Sequence, residues 1–173
     1  GALQVYHSTI TGNTGSFEGG GVWNQGGSLQ VYHSNITGNT GNRGGGGVYN
    51  NWGSIQVYHS SITGNTGNQG GGVYNYKGPL QVYHSNITGN TAERGGGVDT
   101  HGESTVVHNS IIAENSVVYY GGGICQSDEG TLHITGSLIS KNKQEERSSN
   151  SFGGGGVYIQ YTGVVTIRES SFD

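Results

Sequence analysis

The sequence is poor in most of what a globular core is built from. Its 173 residues include one cysteine, one proline and no methionine, and only 10% are charged. The single cysteine, Cys125, cannot form an internal disulfide, so thiol counting assigns no compartment. No stretch approaches the roughly 18 apolar residues of a membrane span. No window has the 3.6-residue period of a helix. The formal net charge is -4 with no basic block, which argues against nucleic acid as a partner. Hydrophobic residues are also scarce, at 30%. Scarcity of both kinds does not fit a disordered chain, which normally carries high net charge. It fits a narrow, regularly filled core. There is no initiator methionine and no signal peptide, and Gly1 falls inside a repeat pattern. The chain is therefore expected to be a processed protein or a segment of a longer one.

What is abundant is glycine, 36 residues, about three times the usual share. Repetition is the other excess. The stretch LQVYHSNITGNTG (Leu29–Gly41) recurs with little change from Leu3, Ile55 and Leu80. Aligning on its serine gives Ser8, Ser34, Ser60, Ser85, Ser110, Ser137 and Ser170, spaced 26, 26, 25, 25, 27 and 33 apart. One domain thus covers 1–173. Its turns are near-identical over 1–104 and diverged over 105–173, with an inserted charged loop expected near 141–152.

The shared skeleton is L-x-V-x-x-S-x-I-x-x-N, then a variable stretch, then G-G-G-V-x-N. Its apolar columns include Leu29/Ile55/Leu80, Val31/Val57/Val82, Ile36/Ile62/Ile87 and Val48/Val73/Val98, with a polar lapse at Thr105. Apolar residues two apart share one face of a strand. They are mostly β-branched, and Gly, Asn and Ser separate the runs as turns do. The period also suits leucine-rich repeats, but those need a leucine-dense frame that is missing. The expected fold is all-β: a single-stranded right-handed parallel β-helix (β-solenoid) with about 25–26 residues and three short strands per turn. Turns about 4.8 Å apart stack like residues on like, and stability comes from neighbouring turns. Gly21, Gly46 and Gly71 mark a corner needing either positive φ or close backbone approach. Asn13, Asn39, Asn65, Asn90, Asn115 and Asn142 read as a corner ladder bonded along itself.

Ile36-x-x-Asn39 and Gly45-Gly46-Gly47-Val48, with their equivalents in other turns, resemble the GG[AG][IV] and [FI]xxN repeats of the polymorphic outer membrane proteins. The resemblance covers nearly the whole chain. It implies a β-helix of a surface or secreted type, including adhesins. It also brings in polysaccharide lyases and epimerases, which use the same fold. The chain departs from the family in using Gly for Ala and Ile for Phe, and it has no membrane-barrel segment.

Candidate chemistry is sparse. Asp99, Glu103, His101 and Arg94 form the nearest thing to a cluster of acids and bases. An enzyme on this fold acting on acidic polysaccharide would gather such groups. The alternative is a diverged, solvated turn. His7, His33, His59 and His84 share a column continued by Asn109. Metal sites need converging donors, and a straight column offers a row, so a corner role is the better reading. Gln4, Gln30, Gln56 and Gln81 stack beside Tyr6, Tyr32, Tyr58 and Tyr83. Trp23, Tyr49 and Tyr74 form a second outward row, broken by Asp99. Such ladders stabilise stacked strands and also offer a strip to a glycan or protein. Thr11, Thr37, Thr63 and Thr88 raise ice binding as a minor alternative, although only Thr9-x-Thr11 makes the paired pattern. Asn35 and Asn86 head N-x-T sequons for N-glycosylation.

The expected function is a non-catalytic, secreted or surface-displayed rod that presents Tyr, Gln and Thr ladders to a glycan or protein partner. Open coil edges also suit end-to-end association or docking in a larger assembly. No cofactor is expected, and the carbohydrate-active enzyme is the competing reading.

Overall fold

The computed structural model describes residues 1–145, 153–161 and 163–173. Every strand pairing among them is parallel and joins one turn to the next. The result is a β-solenoid of about six turns with no helix among the described residues. The first sheet holds the L-x-V strands: Ala2–Tyr6, Ser28–Tyr32, Ser54–Tyr58, Leu80–Tyr83, Ser104–His108, Thr131–Thr135 and Val165–Arg168. The second holds the short N-I-T strands, from Thr9–Thr11 to Ser171–Phe172. The fourth holds the V-x-N strands, from Val22–Gln25 to Val157–Ile159. Between the second and fourth runs a narrow third sheet. It is only two residues wide at Thr14–Gly15, Thr40–Gly41 and Thr66–Gly67, and widens at Thr91–Arg94 and Ser116–Tyr120. Three main strands per turn agree with the sequence expectation.

Register is in phase in the first, second and fourth sheets, with Leu29 on Ile55, Val57 on Val82, Ile36 on Ile62 and Val73 on Val98, and shifts in the third between Ala92 and Arg94. A slip by one residue would turn each core side chain outward. From Leu29 to Ile139 the apolar columns are fully enclosed. The polar lapse is accommodated: buried Thr105 shares a hydrogen bond of 3.0 Å with Thr100.

The corners are built by backbone conformations that few residues tolerate. His7, His33, His59, His84, Asn109, Gly136 and Glu169 all have φ between 45° and 59°. This left-handed region favours Gly and is several-fold enriched in Asn and His among other residues. The histidine column is thus a structural corner, as its continuation by Asn109 suggested. Gly21, Gly46 and Gly71 do not have positive φ. They serve close approach instead: a Cβ on Gly46 would lie 2.5 Å from the Gly71 oxygen and the Thr66 carbonyl.

The charged insertion begins later than expected. Lys141 takes the corner conformation at φ 52°, Asn142 joins the asparagine ladder, and Lys143–Gln144 pairs with the turn before. Residues 146–152 of the expected loop lie outside the described residues.

Candidate functional site

Polar ladders run along the axis beside the apolar columns. In the asparagine corner, each side-chain oxygen accepts from the preceding turn's backbone N–H and amide. Asn39, for example, donates both to Asn65 Oδ1, at 2.9 and 3.0 Å. Its Nδ2 also donates to the Ile10 oxygen. The same pattern holds from Asn13 to Asn142. The serine column forms a second ladder, with Ser34 N–H donating to Ser60 Oγ and Ser34 Oγ donating to Tyr32 O. A third ladder is buried: Asn24 donates to Asn50, Asn50 to Asn75 and Asn75 to Thr100. Sequence reading missed it. The signal was the V-x-N spacing, since two residues apart on a strand puts the Asn on the core side with Val.

On the outer side of the first sheet, the expected Gln and Tyr ladders are present. Gln4, Gln30, Gln56 and Gln81 pass amide hydrogen bonds of 2.9–3.0 Å upward. Tyr6, Tyr32, Tyr58 and Tyr83 stack with centroids 4.9–5.0 Å apart and planes within 3°. His7, His33, His59 and His84 stack beside them at 5.0–5.1 Å, within 5° of parallel. His108 ends both stacks, tilted on Tyr83 and edge-on to His84.

This geometry changes what the strip offers. Interior ring faces are covered by neighbouring rings, so a sugar cannot lie flat on them. The strip presents ring edges: phenol hydroxyls, imidazole nitrogens and amides. The parallel imidazoles also do not converge. Two nitrogens bound to one zinc at about 2.0–2.1 Å must approach closer than the ring spacing, so binding would require breaking the stack.

The second outward row is exposed only in part. Trp23 is 50% exposed and Tyr49 half-buried, but Tyr74 is only 6% exposed, and Asp99 and Cys125 are buried. Tyr74 is thus removed from the presented surface. The glycine stretch ahead of the fourth sheet folds back over this row. A Cβ on Gly95 would sit 2.5 Å from that of Asp99.

Asp99, His101 and Arg94 are brought near one another, but not as an open catalytic site. His101 lies 3.7 Å from Asp99 and 3.6 Å from Asp128. Arg94 reaches Gln160 at 3.2 Å and lies over the Tyr120 ring. Burial pushes the Asp99 carboxyl up from the usual range, while His101, Arg94 and the Cys125 thiol pull it back. Neither carboxylate oxygen has a hydrogen-bond partner among the described residues, and the Cys125 thiol lies 3.3 Å from Ser127 Oγ. Burial, then the Asp99 charge, raises the Cys125 thiol to about 12, which makes it a poor nucleophile. Glu103 stands apart from this interior. It lines a shallow hollow of about 270 Å³ with Lys77, His101, Asp128 and Glu129.

Asn35 and Asn86 open second-sheet strands and are exposed. Thr37 and Thr63 are hydroxyl-bonded at 3.2 Å on the same face. Among the described residues no helix is long and apolar enough to cross a membrane.

The fold defines a parallel β-solenoid with stacked polar ladders. Comparison with protein-family models, curated proteins and solved structures gives no match.

Proposed function

We propose that this chain is a non-catalytic, secreted or cell-surface rod that holds its ladder face out to a glycan or protein partner, of the kind built from polymorphic outer membrane protein-type repeats. The observation that carries the reading is the in-register edge of Tyr, His and Gln over four turns. The diverged turns keep the fold with Val106, His133 or Thr166 in the Gln column. Folding therefore does not demand the ladder residues, and a surface role accounts for them. The buried Asp99, without a hydrogen-bond partner among the described residues, and the high thiol of Cys125 speak against catalysis in the interior.

The hollow at Glu103, His101 and Asp128 favours the alternative, an enzyme acting on acidic polysaccharide. A glycan array with parallel product detection separates the two. Binding without new reducing ends or unsaturated products is expected. Product formation abolished by Glu103→Ala would replace the rod by the enzyme.

A further inference from the structure

The chain's charges are unevenly placed. Of its 11 carboxylates only Glu18 precedes Glu93, and Arg43 and Lys77 are the sole fixed cations before Arg94. Along the chain and across the corner, the edge formed by His7, His33, His59 and His84 meets no fixed charge among the described residues. Each histidine is flanked by tyrosine and serine in the chain. Across the corner stand Thr9, Asn35, Ser61 and Asn86, and His108 closes the stack. The first carboxylate in the column is Glu169, three turns beyond His84. Imidazole is the side chain whose charge changes between about pH 5 and 8. With its imidazoles protonated, this edge is a row of positive charges spaced 5.0–5.1 Å apart.

Building on the reading of this face as a binding surface, we propose that the histidine column is a strip for a linear acidic polysaccharide, bound in mild acid and released above neutral pH. A polymer with one carboxylate per sugar ring repeats its charge over a length on the order of the strand spacing, about 4.8 Å. Successive sugars rotate about the chain axis, so the carboxylates that turn toward the protein meet the imidazole row, whose own spacing is 5.0–5.1 Å. That spacing lies well within the roughly 8–10 Å screening length of moderate salt, so neighbouring charges act together. A bound polyanion relieves the repulsion among adjacent imidazolium groups, which links binding to proton uptake. Phenol hydroxyls and Gln amides beside the column add donors and acceptors for ring hydroxyls. The corner itself accepts Asn, Gly and Glu in later turns, so histidine in four consecutive turns exceeds what the backbone requires.

The test measures retention of the full chain on immobilised polygalacturonate, neutral dextran and poly-dT, at low salt, near pH 5.5 and pH 8. The wild type is expected to bind polygalacturonate roughly tenfold or more tightly in acid, and neither other polymer to match it. The double variant His33→Asn/His59→Asn is expected to lose most of that binding. Asn109 already holds this corner at φ 45°, so circular dichroism and melting should confirm that the variant folds. Equal binding at both pH values, undiminished binding by the variant, equal retention on poly-dT, or no retention on polygalacturonate overturns the proposal. Binding of neutral glycans on the array would survive any of those results, so the two readings fail separately.

Discussion

Asn65 Oδ1 accepts two hydrogen bonds from Asn39, one from its backbone N–H at 2.9 Å and one from its Nδ2 at 3.0 Å. Asn65 also donates to Asn90 Oδ1 and to the Ile36 oxygen. One buried side chain therefore ties three turns together. Asn65→Ala strips the Asn39 backbone N–H of its acceptor, and one of its two Nδ2 hydrogens as well, while the other still donates to the Ile10 oxygen in this buried corner. Each orphaned group costs roughly 1–3 kcal/mol, so a loss of about 3 kcal/mol or more is expected in urea unfolding. A loss below about 1 kcal/mol would show that water enters and replaces the ladder.

Two glycines separate the two reasons for having no side chain. Gly38 has φ 64° and open space around its missing Cβ, whereas Gly46 would drive a Cβ into the Gly71 oxygen. Gly38→Ala should cost about 1–2 kcal/mol for the left-handed backbone, and Gly38→Asn less. Gly46→Ala should be far more damaging, since the obstacles are backbone of the next turn. Equal melting temperatures for the two alanine variants would contradict this account.

The histidine corner should discriminate by backbone preference alone. His33 sits at φ 47°, where a β-branched residue is a steric outlier. His33→Asn should melt close to wild type, while His33→Val should lose about 1–2 kcal/mol. If both variants lose the same amount, imidazole stacking rather than corner geometry is what stabilises the turn.

Asp99 makes a signed prediction about pH. Burial raises its folded-state pKa above the unfolded value of about 3.9. The folded state therefore holds this proton more tightly. The stabilisation is fully present below the unfolded pKa and is lost as pH rises through the folded pKa. Asp99→Asn removes the buried charge, so it should stabilise the protein at neutral pH and lose that advantage near pH 3. The check is chemical denaturation of both proteins at the two pH values. A variant less stable than wild type at neutral pH would mean that Arg94 and His101 more than compensate the burial.

The sequence made the repeating frame plain because core residues in a solenoid repeat every turn. Leu29, Val31, Ile36 and Val48 sit in columns that no single strand pattern would have shown, and Asn39 was legible for the same reason. Other features depend on what lies outside the column. Tyr74 reads like Tyr49, yet it is buried, with the rings of Tyr49, Tyr76 and, from the next turn, His101 packed on it. Part of that covering comes from outside the column, which periodicity does not reveal. The alternation of Val48 with Asn50 did carry the buried second amide ladder, but an Asn near a glycine turn is easily read as turn chemistry. The stacking of Tyr32 on Tyr58 was expected, but the loss of usable ring faces follows only from planes within 2° of parallel.

The in-phase register of Leu29 on Ile55 and Val57 on Val82 has a consequence for how such a molecule changes over generations. Each near-identical turn meets the same surface above and below. Excising or duplicating one whole turn rejoins Leu to Leu, Asn to Asn and His to His without a seam. Length is then adjustable in single-turn increments, and the polar and aromatic rows lengthen with it. Unequal recombination between the near-copies would yield a folded protein with a longer or shorter row of imidazoles, where the same event in a globular core would yield none.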